Sequence, residues 1–395
     1  MNVRRIFLLL AVVPVACCCI AQNVEFTDTS YYAGNEHAIR SIVACQVRQQ
    51  DTLRHGPAAY YFNDGKLWQK GFHKDDKMDS LWIIYFENGK VSSEKYFSGG
   101  LKEGDFTLYY ETGTVKTRGT YRNDSLNGLM TLYYPDGTVN ETRQYLNNKL
   151  NGIMTGYYPT GNMNYRINYV DSLPNGLYET YFASGKLKEK GSAAGQFFYD
   201  GFRTYYENGQ VEKEFSYKNY KIDGPFIVYY DSGQVKTETT YINGLIEGVS
   251  KEFYRDGSLY ETGEYVHGKR EGRWTTWYPD STLYMEGNYE HSVVTGLWNV
   301  YHRNGQMKQT GSFKNGLSEG PWQFFHDNGQ VKMKGNYIDD KAHGNWVHYY
   351  ENGNKKFNLY YNMGKLEGTQ TAYDEEGKMV EKAEYMDDQL IRKIK

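Results

Sequence analysis

Glycine recurs at a fixed step of 24 residues through most of this chain. One column of glycines runs from residue 65 to residue 377 and is interrupted once, at Ser281. A second column runs from residue 56 to residue 368 and is interrupted at Ser80 and Asp200. The two columns hold 25 of the 42 glycines. A fixed period of this length is typical of repeat architectures, so the spacing predicts an array of about fourteen units.

Each unit has the pattern of a β-hairpin. Residues 104–127 contain two runs of β-branched and aromatic residues around a glycine, which is the composition of paired strands. Asn or Asp precedes the glycine in many units and suits a tight hairpin turn. The sequence therefore predicts an all-β fold, an elongated single-sheet array of β-hairpins joined by further turns. The expected structural turns lie at Gly65, Gly89, Gly113, Gly137, Gly209, Gly233, Gly305, Gly329 and Gly353.

Aromatic residues also follow the 24-residue step. Every position of the column from Tyr61 to Tyr373 is aromatic. The next position is aromatic from Phe62 to Tyr278 and then becomes His302, His326, Tyr350 and Asp374. Because neighbouring residues of a strand face opposite sides of a sheet, these pairs predict aromatic rows on both faces.

The first 21 residues predict export. Arg4 and Arg5 precede a short apolar run over residues 6–15, the pattern of a secretory signal peptide cleaved after Ala21. The run is too short to span a bilayer, and no transmembrane segment is expected in the mature chain. The expected location is the periplasm, the cell surface or the medium, and a lipoprotein form stays open. The formal net charge of −3 argues against a nucleic-acid-binding surface.

The remaining chain divides by its fit to the repeat. Residues 22–55 fall outside the clear array and are expected to form a cap or a degenerate repeat, with Cys45 as a buried small residue. The array is predicted over residues 56–388 and a C-terminal tail over 389–395. Residues 191–200 lack the usual turn between units, which predicts a kink or bulge. The open ends of such a sheet favour caps or self-association.

The repeated sequence resembles a known family. The hairpin Tyr-Tyr-x-Asn-Gly-x-Val-Lys, with Tyr-x-Asn-Gly-Lys-x-x-Gly between units, is similar to the variant MORN repeat of bacterial proteins. The Gly263–Gly272 segment most resembles the standard MORN consensus. Many of those proteins are grouped as YwqK-family antitoxins of toxin–antitoxin systems. The resemblance covers residues 56–388 and implies a repeat scaffold that binds partners without chemistry of its own. An export signal fits poorly with neutralising a cytoplasmic toxin.

One region of the array differs from the others in its side chains. Four tryptophans hold one column, and histidines stand in the same strands. A packing ladder explains them, and a ligand-binding face is the alternative, because Trp anchors interfaces and stacks on sugars. Successive histidines of one column lie too far apart to share a metal ion. The candidate partner-binding residues are Trp274, Trp298, His302, Trp322, His326, Trp346 and His348.

The sequence contains no catalytic or cofactor-binding motif of the common types. We therefore expect no enzyme activity, no cofactor and no metal. The favoured function is an exported scaffold that binds a protein partner in a bacterial cell envelope. An antitoxin-like inhibitor of a dedicated toxin and a glycan-binding module are the alternatives. The glycan alternative predicts that Trp298→Ala and Trp322→Ala abolish sugar binding without unfolding the array.

Overall fold

The computed structural model describes residues 24–48, 51–194 and 197–395. The predicted signal peptide lies outside these ranges, as do residues 195–196 in the segment expected to kink. The chain divides into two units, Met1–Gln196 and Phe197–Lys395. Strands are the only regular elements in the described ranges, so the predicted all-β hairpin fold is confirmed.

Unit 1 is a meander, in which strands that follow one another along the chain pair antiparallel. Its two shortest strands, β9 and β12, are each separated by one residue from the strand that follows, β10 and β13. The strands are β1 Val24–Tyr32, β2 Asn35–Arg48, β3 Asp51–Tyr61, β4 Leu67–Lys74, β5 Lys77–Tyr85, β6 Val91–Ser98, β7 Leu101–Tyr109, β8 Val115–Arg122, β9 Ser125–Leu126, β10 Gly128–Tyr133, β11 Val139–Leu146, β12 Lys149–Leu150, β13 Gly152–Tyr157, β14 Met163–Val170, β15 Leu173–Tyr181 and β16 Leu187–Ala194.

Unit 2 repeats this arrangement. Its last strand pairs with the strand before it, so the expected C-terminal tail contains regular structure. The strands are β17 Phe197–Tyr205, β18 Val211–Phe215, β19 Tyr217–Lys218, β20 Lys221–Ile222, β21 Gly224–Tyr229, β22 Val235–Ile242, β23 Leu245–Phe253, β24 Leu259–Val266, β25 Lys269–Trp277, β26 Leu283–Glu290, β27 Val293–Tyr301, β28 Met307–Lys314, β29 Leu317–Phe325, β30 Val331–Ile338, β31 Lys341–Tyr349, β32 Lys355–Asn362, β33 Lys365–Leu366, β34 Gly368–Tyr373, β35 Met379–Met386 and β36 Gln389–Lys393.

The segment before the array forms a hairpin of its own. Strands β1 and β2 pair antiparallel, and Gly34 occupies their turn with φ 79°. Cys45 in β2 is buried beside Val43 and Trp82. Burial is the largest influence on its thiol and raises its pKa. Cys45 therefore packs as a small hydrophobic residue against the first two repeats.

The glycine column marks a three-residue turn inside each hairpin. At Gly113 the backbone N–H donates to the carbonyl of Tyr110 at 2.8 Å, and Tyr110 N–H donates to Thr114 at 2.9 Å. The glycine has φ 93°, and the nine turn glycines selected from the sequence all lie between 80° and 93°. This geometry is a type I turn followed by a left-handed residue, in which glycine is favoured. Only the glycine, and not the Asn or Asp before it, has positive φ here.

The single interruption of that column supplies a stability prediction. Ser281 takes φ 64°, in the left-handed region where a side chain meets its own backbone. We expect Ser281→Gly to raise the free energy of unfolding by about 1 kcal/mol, measured by equilibrium denaturation. The reciprocal change at the equivalent position of the next repeat, Gly305→Ser, should lower it by a similar amount. Equal stability of all three proteins would contradict this assignment of strain.

The connection between hairpins is a different turn. Most of these two-residue connections have positive φ at both residues, as at Asn123 and Asp124, which is the type I′ pattern. The second residue also contacts the preceding repeat, because Asp124 Oδ1 accepts a hydrogen bond from the N–H of Lys102 at 2.8 Å. Glu103 accepts from the N–H of Asn123 at 2.7 Å. Each inter-hairpin turn is thus tied to the repeat before it.

The two aromatic columns have different roles. Tyr109 ends strand β7, and its hydroxyl donates to Glu94 on the neighbouring strand at 2.8 Å. Tyr110 lies just beyond the strand, and its hydroxyl donates to the carbonyl of Tyr133 in the next repeat at 2.8 Å. The second column therefore lies just beyond the strand ends. Its tyrosines link successive repeats along one edge.

Candidate partner-binding site

The four tryptophans of the candidate site are buried. Their exposed fractions are 4% for Trp274, 8% for Trp298, 5% for Trp322 and 2% for Trp346. Trp82 of unit 1 stands in the same column and is also buried, with an exposed fraction of 3%. This burial favours the packing interpretation, whereas direct contact of these indoles with a partner stays a prediction.

The tryptophans alternate with a second aromatic column in one continuous row. Trp298 lies between Tyr289 at 5.3 Å and Phe313 at 6.2 Å, measured between ring centroids, and both contacts are edge-to-face. Trp322 continues the row between Phe313 at 5.2 Å and Tyr337 at 5.8 Å. The same contacts extend it from Tyr265 to Tyr361. Edge-to-face pairs add stability beyond the burial of their area, so the row holds neighbouring repeats together.

A glycine beneath each indole makes room for the row. A Cβ atom added to Gly287 would lie 2.0 Å from the Trp298 ring, and one added to Gly311 would lie 2.0 Å from the Trp322 ring. Neither glycine has positive φ, so the reason for glycine here is the close approach of the ring. Every tryptophan of this column has a glycine eleven residues before it. The pairs are Gly71 with Trp82, Gly263 with Trp274, Gly287 with Trp298, Gly311 with Trp322 and Gly335 with Trp346.

His302 and His326 lie at the edge of the sheet rather than in the tryptophan row. Both stand in the column of Tyr110, and both use Nε2 where tyrosine uses its hydroxyl. The Nε2 atom of His302 contacts the carbonyl of Phe325 at 3.2 Å, and that of His326 contacts the carbonyl of Tyr349 at 3.1 Å. Asp327 lies 3.0 Å from Nδ1 of His302. These histidines link successive repeats.

His348 belongs to the aromatic face. It lies two residues after Trp346 in β31, and its ring meets Phe357 edge-to-face at 6.0 Å. Burial is the largest influence on this imidazole and lowers its pKa, and Lys356 and Lys332 lower the pKa further. The neutral ring is therefore the form that packs here.

This lowered pKa predicts a pH effect on stability. The unfolded chain binds a proton at His348 near the ordinary histidine pKa of about 6.5, whereas the folded chain binds it only at lower pH. The stability contribution is thus complete above that value and falls as the pH decreases below it. We expect His348→Phe, which copies Phe324 of the preceding repeat, to lose less stability than the native chain between about pH 7 and 5. Denaturation curves at both pH values test this, and equal losses would contradict it.

The opposite face of the sheet in unit 2 carries an exposed apolar stripe. Strand alternation places there the side chains next to the inter-hairpin turns, such as Ile242 and Leu245. Val249 and Leu297 lie on the same face farther along their strands. Their exposed fractions run from 38% at Val266 to 60% at Val249. We define the unit 2 stripe as Ile242, Leu245, Val249, Val266, Val293, Leu297 and Leu317.

Unit 1 carries a corresponding stripe at the equivalent positions. Val170 and Leu173 face each other across one inter-hairpin turn, and both are more than two-fifths exposed. The unit 1 stripe consists of Leu129, Leu146, Ile153, Val170 and Leu173. Sequence reasoning missed both stripes because it followed the invariant columns, whereas these positions change from repeat to repeat. Two signals could have found them: an aliphatic residue next to a two-residue turn, as at Val170 and Leu173, and one directly before the tryptophan column, as at Val249 and Leu297.

Metal sites and membrane-spanning helices were also sought in the described part of the chain. Its His, Cys, Asp and Glu residues include no group of three placed to hold a metal ion. None of its residues forms a helix of the length and apolarity that a bilayer crossing needs.

Comparison with known protein families finds one match for each hairpin repeat of the structure. The family model of the MORN repeat variant matches fourteen times, and each match covers most of one hairpin with its internal turn. The chain belongs to the MORN repeat variant family. The matched residues are 54–75, 78–98, 102–123, 126–147, 150–171, 174–192, 202–219, 222–243, 246–267, 270–291, 294–315, 318–339, 342–363 and 366–387.

Two solved structures with similarity to this MORN array are TcdB2–TccC3–Cdc42 and the Photorhabdus luminescens Tc holotoxin pore. The TcdB2–TccC3–Cdc42 structure is 11% identical with a TM-score of 0.15, over 92% of this chain and 24% of that one. The Photorhabdus luminescens Tc holotoxin pore is 12% identical with a TM-score of 0.16, over 91% of this chain and 23% of that one. Scores this low support no structural argument, and the chain spans about a quarter of those proteins. A comparison with curated proteins finds no match.

Proposed function

We propose that this MORN array is an exported, non-enzymatic scaffold that binds a protein partner in a bacterial cell envelope. The observation that carries the proposal is the pair of exposed apolar stripes. Proteins rarely leave neighbouring aliphatic side chains exposed unless the surface meets another molecule. The export part rests on Arg4, Arg5 and the apolar run that follows them.

The repeat geometry supports binding over an extended surface. The exposed aliphatic positions recur at the 24-residue step, so Val249 and Leu297 occupy equivalent places two repeats apart. Repeated weak contacts on one rigid element add up when the partner spans several of them. A protein partner with its own row of apolar side chains fits such a stripe better than a small ligand does.

The alternatives have less support from the side chains. The glycan-binding alternative needs accessible tryptophan faces, and the four indoles of the column are nearly covered. The antitoxin-like alternative differs from the scaffold only in what the partner does when bound. We infer the absence of enzyme activity from the uniform repeat, which contains no catalytic motif of the common types.

Affinity capture from solubilised cell envelope tests the proposal. The tagged full chain is compared with the double variant Val249→Glu/Leu297→Glu, which places charge in the unit 2 stripe. Because both side chains are more than half exposed, the variant should stay folded, as circular dichroism would verify. We expect the native chain to retain one stoichiometric protein and the double variant to lose it.

The matched control is Lys308→Glu, an exposed position outside both stripes. It should retain the partner as the native chain does. Equal capture by the double variant would exclude the unit 2 stripe as the binding surface. If the partner is a toxin whose activity falls on binding, the inhibitor alternative replaces the scaffold.

A further inference from the structure

The aromatic row of unit 2 is interrupted near its start by Ser250. The column that holds Trp274, Trp298, Trp322 and Trp346 holds Phe226 in an earlier repeat, but Ser250 lies between Phe226 and Trp274. A hydroxymethyl group cannot fill the space of a ring. A cavity of about 180 Å³ lies there, lined by Phe226, Tyr265 and Trp274 among others. For comparison, an engineered cavity of about 150 Å³ holds a benzene molecule.

The cavity contains more negative than positive charge. Glu252 of β23 and Glu261 of β24 are direct neighbours in the sheet register, and both line the cavity. Arg270 donates to Glu261 at 2.7 Å, and its guanidinium lies 3.9 Å from the centre of the Trp274 ring. Glu252 has no ion-pair partner among the described residues. Two carboxylates directly opposite one another are unfavourable unless cations compensate them, and here one charge is left over.

A buried hydroxyl group in the same cavity also lacks a partner in the described part of the chain. Thr239 is 8% exposed and lines the cavity, and its Oγ1 forms no hydrogen bond with any described residue. A buried hydroxyl without a partner costs free energy, so a ligand with donor hydrogens would relieve it. The Trp274 indole N–H also lacks a partner, but so does that of Trp322, which does not line this cavity. The indole therefore does not bear on the ligand.

We propose that this cavity binds a primary alkylammonium group. The –NH₃⁺ group offers three donors and one positive charge, which match the Glu252 carboxylate and the Thr239 hydroxyl. Its alkyl chain lies against Phe226 and Tyr265, and aromatic rings attract a cation at close range. The ligand is either a free alkylamine or a lysine side chain of a partner. The cavity lies on the face opposite the stripes, so the inference is independent of the proposed function.

Calorimetric titration of the full chain with n-butylammonium chloride at constant ionic strength tests the proposal. We expect saturable binding at one site and none of the neutral isostere 1-butanol. Glu252→Gln keeps the shape but removes the charge, and should weaken binding at least about tenfold. Ser250→Phe, which copies Phe226, should abolish it. The matched control is Glu238→Gln on the opposite face, paired across the sheet with Lys251, and it should bind like the native chain.

Several results would overturn the inference. These are no saturable binding of n-butylammonium to the native chain, equal binding of 1-butanol, or unchanged affinity in Glu252→Gln. Because Glu252→Gln is isosteric, the test does not depend on Ser250→Phe folding. Titration with N-acetyl-lysine methylamide distinguishes the two sources. Tighter binding of this compound than of n-butylammonium indicates a lysine of a partner, and weaker binding indicates a free amine.

Discussion

Trp322→Ala is expected to lower the free energy of unfolding by about 3–5 kcal/mol, the usual cost of removing a buried large aromatic side chain. The ring is 5% exposed and contacts Phe313 and Tyr337 in the adjoining strands. Its indole N–H forms no hydrogen bond with a described residue, so the loss is one of packing. Thermal and denaturant unfolding, followed by circular dichroism, measure the effect.

The matched control is Trp68→Ala. That side chain is 42% exposed, so its removal should change stability by no more than about 0.5 kcal/mol. Similar losses in the two variants would show that the buried row does not hold the repeats together. A folded Trp322→Ala protein of native stability that no longer binds a sugar would instead support the glycan alternative.

The second large effect is expected at the glycine under the same ring. Gly311→Ala places a methyl group 2.0 Å from the Trp322 indole, so the ring or the backbone must move. Overpacking of this kind costs about 1–3 kcal/mol. In a chain that already carries Trp322→Ala the clash is absent, and the alanine should cost far less. A double-mutant cycle of unfolding free energies measures this coupling.

Gly119→Ala serves as the comparison for this prediction. The nearest atom to its added Cβ is Cε1 of Phe106, at 2.7 Å, so the clash is milder and the loss should be smaller. Additive effects of Gly311→Ala and Trp322→Ala would contradict the pairing of glycine and ring. The outcome decides whether the eleven-residue spacing reflects steric necessity.

The architecture was predictable from the sequence because the same 24-residue pattern recurs about fourteen times. The columns of Gly113 and Tyr109 each record the same local geometry in about fourteen copies, so exceptions such as Ser281 did not obscure it. Alternation along a strand correctly placed Trp322 and Phe324 on one face, where their rings stack at 6.0 Å. Local turn chemistry and strand alternation were sufficient for this level of description.

The site was less predictable, for a physical reason. Exposure depends on what neighbouring strands place over a side chain, and a single repeat does not contain that information. Trp298 is covered by Tyr289 and Phe313 of adjacent strands, whereas Val249 in the middle of β23 is uncovered. The role of His302 also escaped alternation, because the strand ends one residue before it. The space beside Ser250 is defined by Phe226, Tyr265 and Trp274 of the surrounding strands, so one repeat alone does not predict it.

The contacts between repeats have a consequence for how arrays of this kind change in length. The turn contact of Lys102 with Asp124 spans 22 residues, that of Asn123 with Glu103 spans 20, and that of Tyr110 with Tyr133 spans 23. Each of them joins one unit to the next and none reaches further. A duplication or deletion of one whole unit would therefore recreate every contact at the new junction, whereas a change of a few residues would break all three. Copy number is thus a property that recombination can adjust without redesigning the fold, and the number of exposed stripe positions changes with it.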